Sequence, residues 1–421
     1  MERRKLILLA SAFCLLAGCA QPADYSPPDY SDHTAADERK HTTQLIDPEQ
    51  LAAGEPLFAV EERPSTWQPV FHGLTKDEIW GYDLRSLDLS SADLSAIEDY
   101  NDISFNTGTV WPEELPEGFD PQELLEYNKD PGLGIRALHE QGITGRGVGV
   151  AVIDQALLPN HVEYKNRLRS YERIHCGDPN AQMHGSAVAS LAVGQEVGVA
   201  PEADLYYIAS TFGHSTDSGY QFDASIMADC VLRVLKLNEH LPEGEKIRVI
   251  SISRGYSKQD LGYKALDAAI RQADEEGVLV LTTSTSAFYP FRLLGMGRDY
   301  RADPNDMASY RPASWLEETV YQYPEGYQDA CLVPMGSRTY ACWQGPEDYE
   351  LSYEGGMSWA VPWCAGFYAL CCQVEPDLTP ERFFQVVQET AVPAYVEHEG
   401  TDCCFGKIVD PAAAIARLQE T

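Results

Sequence analysis

From about Gly132 to the carboxyl end, short apolar runs alternate with segments of helical period, and no other feature constrains the fold so tightly. The runs lie at 148–153, 204–209, 247–252, 278–283 and 330–334. Runs of this length, apolar on consecutive residues, suit strands buried on both faces. Between them, Phe222, Ile226, Met227, Cys230, Val231, Val234 and Leu235 fall on one helical face. Leu266, Ala269, Ile270 and Ala273 do the same, and Gly277 stops that helix. Two closing helices, at 380–387 and 410–418, start from capping residues Thr379 and Asp410. The pattern predicts an α/β fold: a doubly wound parallel sheet with helices on both faces. In such sheets, sites form beyond the carboxyl ends of the strands.

The amino terminus reads differently. Arg3, Arg4 and Lys5 precede an apolar stretch, Leu6 to Leu16, which is too short to span a bilayer and suits a secretory signal over residues 1–18. The ending Leu15-Leu16-Ala17-Gly18-Cys19 resembles the bacterial lipobox, which implies lipidation of Cys19. A chance cysteine after an ordinary signal is the alternative. The expected location is extracytoplasmic, lipid-anchored to the bacterial cell membrane. No later segment is long enough to cross; the most apolar, 359–372, is short and carries Pro362. Residues 19–60, rich in Pro, Asp, Ser, Thr and Glu, read as an acidic flexible tether. Apolar and aromatic residues return in 61–131 (Val70, Phe71, Ile79, Trp80, Tyr82, Leu84), as a propeptide-like region or a retained extension. The main domain is 132–421.

A formal charge of −34 would repel a phosphate backbone, so nucleic acid is excluded as a partner. The acid reads first as a solvated surface that keeps an exported protein soluble. Of the eleven cysteines, nine follow Cys19, and no C-x-x-C spacing marks a zinc site. Export permits disulfides, but an odd number leaves their pairing unread. Cys230, Cys364 and Cys371 sit in apolar helix patterns and read as core.

Three short stretches carry chemistry. VAVIDQ (150–155) places Asp154 at a strand end. MHGSAVAS (183–190) places His184 at a helix start. EGGMSWAVPWCAG (354–366) places Ser358 where a Gly-Gly turn enters a helix. Singly, these residues read as a turn aspartate, a structural histidine and a helix cap. Together, a serine with a base and an orienting carboxylate is the arrangement that activates a hydroxyl. A helix amino terminus adds N–H groups for a developing oxyanion.

The order Asp, His, Ser in these contexts resembles the subtilisin-like serine proteases, the subtilases. GITGRGVGVAVID (142–154), GVAPEADLYYIAS (198–210), VISISRG (249–255) and GVLVLTT (277–283) extend the likeness over about 132–420. The resemblance implies Ser358 as nucleophile, His184 as base and Asp154 as orienter. It also implies that Ser253, Arg254 and Gly255 pair with the substrate backbone by strand addition. Ala360 and Pro362 match the small residue and proline that follow the family's serine. The chain departs at Gln155, where Thr is usual, at Ala187, where a second His is usual, and at Met357 and Trp359, which replace Thr and Met. A sharper departure is the oxyanion hole. The family's Gly-Asn falls at Thr285-Ser286, so Ser286 becomes the donor candidate, or Thr285 if the register slips by one. Loss of a side-chain donor there costs on the order of 10²–10³-fold in turnover. Two functions follow as expectations: a serine endopeptidase acting on peptide or protein substrates at the cell surface, or a catalytically weak or inactive relative that binds peptides or partner proteins. No cofactor is expected. The family likeness leaves room for calcium, with no ligand assigned.

Overall fold

In a computed structural model of the protein, residues 41–60, 74, 76, 77, 81–97, 99–216 and 219–420 are described. Cys19 and the signal segment lie outside them, as do Val70, Phe71, Ile79 and Trp80 of the extension.

Four of the five apolar runs form strands of a seven-stranded sheet, in the order Thr42–Gln44, Leu168–Cys176, Asp204–Ser210, Gly149–Asp154, Ile247–Ile252, Leu279–Thr282. Leu57–Phe58 adds to Leu168–Cys176. All pairings are parallel except that of Thr42–Gln44. Every residue of Gly149–Asp154 is buried, as a strand with neighbours on both edges and helices over it must be. Two pairs of packed helices cover the sheet: Ala224–Glu239 with Tyr263–Glu275, and Met183–Val193 with Met357–Val374. The second pair is apolar all round and almost wholly buried, the pattern of core helices. Thr379 and Asp410 cap their helices as expected, accepting from Arg382 and Ala413 N–H. The α/β doubly wound architecture read from the sequence is the one observed.

Two expectations need correction. The run 330–334 does form a strand, Cys331–Pro334, but in a separate five-stranded sheet, parallel to Leu293–Arg298 and Thr401–Ile408. Apolar content fixes burial and leaves the choice of neighbour open. The segment 19–60 is also not a tether throughout. Its described part, 41–60, holds two strands on the edge of the main sheet and a 3-10 turn, Pro48–Ala53, capped by Asp47. Ile46 is clamped by a buried pair: its N–H donates to Glu172 Oε1 (2.8 Å) and its carbonyl accepts from Arg233 Nη2 (2.7 Å).

The extension is equally embedded. Lys76–Asp77, Gly81–Asp83 and Ile103–Asn106 share a sheet with Tyr349–Ser352 and Arg338–Ala341 of the main domain. A second core forms beneath it, where Leu84, Leu89, Ile97 and Phe105 meet Tyr300 and Leu351. The Trp363 indole N–H donates to Pro131 O (2.8 Å) across the expected boundary at 132. All nine cysteines after Cys19 are free thiols, and Cys230, Cys364 and Cys371 are core residues. Among the described residues no helix is long and apolar enough to cross a membrane.

Candidate active site

Asp154 is the last residue of the central strand Gly149–Asp154 and is buried. Its Oδ1 accepts the Gln155 N–H (2.8 Å) and lies 2.6 Å from His184 Nδ1. An ionised carboxylate can only accept, so Nδ1 carries the proton and Nε2 keeps a free lone pair. The helix Met183–Val193 reaches this strand end because residue 185 is glycine. A Cβ there would stand 2.3 Å from Gln155 O and 2.5 Å from the Tyr207 hydroxyl. Burial by itself would lower the pKa of His184, but the Asp154 carboxylate and its hydrogen bond outweigh that, and the net shift is upward.

Ser358 occupies the first turn of Met357–Val374, where backbone N–H groups have no intrahelical partner. Gly356 ahead of it has φ 60° and ψ 172°, a conformation that only glycine adopts readily. Pro362 lies inside the same helix and has no N–H to give to the carbonyl one turn back, which belongs to Ser358. The Ser253 hydroxyl takes that place, donating to Ser358 O at 2.8 Å. In return the Ser358 hydroxyl donates to Ser253 O at 3.3 Å. Helix and strand exit are thus tied by reciprocal hydroxyl–carbonyl bonds. Among the described residues the Ser358 hydroxyl makes no hydrogen bond to His184. Changing partner requires a χ1 rotation, a ps–ns event for a small side chain.

Ser253, Arg254 and Gly255 leave the strand Ile247–Ile252 beside Ser358. Arg254 is exposed, its guanidinium 4.9 Å from the Phe222 ring centroid. Gly255 lies against the next strand exit, where a Cβ would stand 2.8 Å from Thr283 Oγ1 and 2.9 Å from Ser284 Oγ. Ser284 Oγ also accepts the Tyr256 N–H (3.1 Å). The two oxyanion candidates separate here. Thr285 is buried and its hydroxyl donates to Thr282 O (2.6 Å), so its only proton is spent inside the turn. Ser286, on the same 3-10 turn, is exposed.

Trp359 is the residue that the sequence reading missed. Its ring packs between His184 (centroids 5.3 Å apart) and Tyr340 (5.1 Å, nearly perpendicular). Read as a tolerated departure, it forms one wall of the imidazole's seat; its place beside Ser358 was the only signal available. Among the described residues no group of three or more His, Cys, Asp or Glu side chains is placed to hold a metal ion.

Residues 145–286 match the family model Peptidase S8, the subtilase family. Over that stretch the chain is similar to the subtilases, a family of peptidases. The chain is 23% identical over 335 residues to the subtilisin-like protease PopC of Myxococcus xanthus (strain DK1622), covering 71% of this chain and 67% of that protein. Among solved structures, the prenylagaramide maturation protease PagA is 18% identical with a TM-score of 0.45, covering 68% of this chain and 98% of that one. The PatG macrocyclase domain is 16% identical with a TM-score of 0.48, covering 68% and 96%.

Proposed function

We propose that this subtilase-like chain is a serine endopeptidase with Ser358 as nucleophile, His184 as general base and Asp154 as its orienter. The 2.6 Å contact of Asp154 with His184 Nδ1 carries the reading, because it leaves Nε2 as the free basic nitrogen. Substrate backbone pairs along Ser253, Arg254 and Gly255, which sets the scissile carbonyl beside Ser358. His184 Nε2 takes the hydroxyl proton as Ser358 Oγ bonds to the carbonyl carbon. The oxyanion is met by the Ser358 N–H in the first helical turn and by the exposed Ser286 hydroxyl. The imidazolium then protonates the leaving amine, the C–N bond breaks, and water releases the acyl group by the same steps in reverse.

A catalytically weak or inactive peptide-binding relative is favoured by one observation: the Ser358 hydroxyl rests on Ser253 O rather than on His184. Fluorophosphonate labelling of the purified protein separates the two. Labelling of the wild type, absent in Ser358→Ala, is the expected result. A folded wild type that takes no label would remove the peptidase reading and leave the binding one.

We place the protein outside the cytoplasm, anchored to the bacterial membrane through a lipidated Cys19 after removal of residues 1–18. The support is the basic start, the short apolar run and the Leu-Ala-Gly-Cys ending. Cys19→Ser is expected to move the protein from the membrane fraction to a soluble or unprocessed form. Unchanged membrane association of that variant rules the anchor out.

A further inference from the structure

The extension meets the main domain next to the candidate site. Ile103–Asn106 pairs antiparallel with Tyr349–Ser352, placing Asn106 opposite Glu350 and Phe105 opposite Leu351. Tyr349–Ser352 in turn forms a hairpin with Arg338–Ala341 and leads into the turn that carries Ser358. Glu350 is 1% exposed. Its Oε1 accepts two bonds, one from Tyr340 OH (2.6 Å) and one from Nη1 of Arg85 in the extension (2.8 Å). Asp83 holds the other edge of that guanidinium, accepting from Nε and Nη2 at 2.7 Å each.

Tyr340 is fully buried and its ring supports Trp359, which faces His184. The same hairpin also grips the His184 helix, where the Ala341 N–H donates to Ser190 Oγ (3.0 Å). An unbroken line of contacts therefore runs from Arg85 through Glu350, Tyr340 and Trp359 to the imidazole. A buried carboxylate without a cation is strongly unfavourable and must either take up a proton or move toward water. The ion pair recorded for Glu350 is with Arg85. Removing the extension would disturb the Tyr340 hydroxyl and, through its ring, the seat of His184. A detachable inhibitor would not supply the counter-ion for a carboxylate buried behind the site it blocks.

We propose that the extension is a permanent part of the catalytic apparatus, with Arg85 as a positioning residue that sets His184 through Glu350, Tyr340 and Trp359. The proposal rests on the peptidase reading above. It is tested on the full chain by the rate of Ser358 labelling across fluorophosphonate concentration, which separates the limiting rate from probe affinity. Arg85→Met is expected to lower the limiting rate by about 10-fold or more, as small misplacements of reacting groups do, with the half-saturating concentration changed by less than about 2-fold. Arg85→Lys, which keeps the charge, is expected to recover most of the loss. An Arg85→Met protein that labels as fast as wild type, or faster as a loosened inhibitor would, overturns the proposal while the peptidase reading stands. If Arg85→Met fails to fold, Tyr340→Phe decides, since it keeps the ring and removes only the hydroxyl that bonds Glu350 and Ser352. A limiting rate lowered about threefold at unchanged half-saturation supports the positioning role, and an unchanged rate overturns it. A wild type that takes no label overturns both readings.

Discussion

Asp154→Asn is expected to slow acylation of Ser358 by about 10⁴-fold while leaving the fold intact. The asparagine amide can donate a hydrogen to Nδ1, which moves the imidazole proton to Nε2 and removes the lone pair that must accept from the serine. The same variant changes the pH profile. In the wild type burial lowers the His184 pKa but the Asp154 carboxylate and its hydrogen bond outweigh that and raise it, so the acid limb of activity is expected at a higher pH than for an unassisted imidazole. Without the carboxylate that limb moves to lower pH. The sign for stability is opposite. A pKa raised by folding contributes stability that is fully present below about pH 6.5 and is lost as pH rises through the folded-state value. Labelling rates and thermal melts from pH 5 to 9 read both effects. A less than tenfold loss of rate in Asp154→Asn, with the acid limb unmoved, would mean that Asp154 does not orient the base.

Arg233→Met is expected to destabilise the protein by about 3–5 kcal/mol, the cost of breaking one side of a buried ion pair. Arg233 Nε lies 2.9 Å from Glu172 Oε2 and Nη2 lies 2.5 Å from Oε1, with Glu172 fully buried. Since folded domains are stable by only about 5–15 kcal/mol, the loss would be a large part of the total. The urea midpoint measures it, and Glu172→Gln in the Arg233→Met background should recover part by removing the stranded charge. The loss should be accompanied by release of the Ile46 segment, seen as faster amide exchange or proteolysis at 41–60. A change below about 1 kcal/mol would show that the pair is not buried in solution.

What the sequence revealed depended on whether a signal was local. The run 247–252 matches its strand residue for residue, and Thr379 and Asp410 cap the helices they begin, because these are properties of a few adjacent residues. Asp154 and His184 were legible as a pair because each sits at an element boundary in a recurring context. The strands Thr42–Gln44 and Leu57–Phe58 are too short to show a period, and Ile46 is held by Glu172 and Arg233, far along the chain. Thr285 looked equivalent to Ser286 as a hydroxyl donor, and only the turn geometry commits its proton to Thr282. Trp359 could be read as a substitution, but its contacts with Tyr340 and His184 depend on the hairpin 338–352.

The two short amino-terminal strands also bear on self-association. Leu168–Cys176 would otherwise present a long row of unpaired N–H and C=O groups, a template for pairing with another chain. Thr42–Gln44 and Leu57–Phe58 occupy that row, one antiparallel and one parallel, in pieces of three and two residues. Pieces so short offer little outer edge of their own, and the change of direction between them denies an incoming strand a continuous register. The amino-terminal segment thus leaves that side of the main sheet without a long unpaired row.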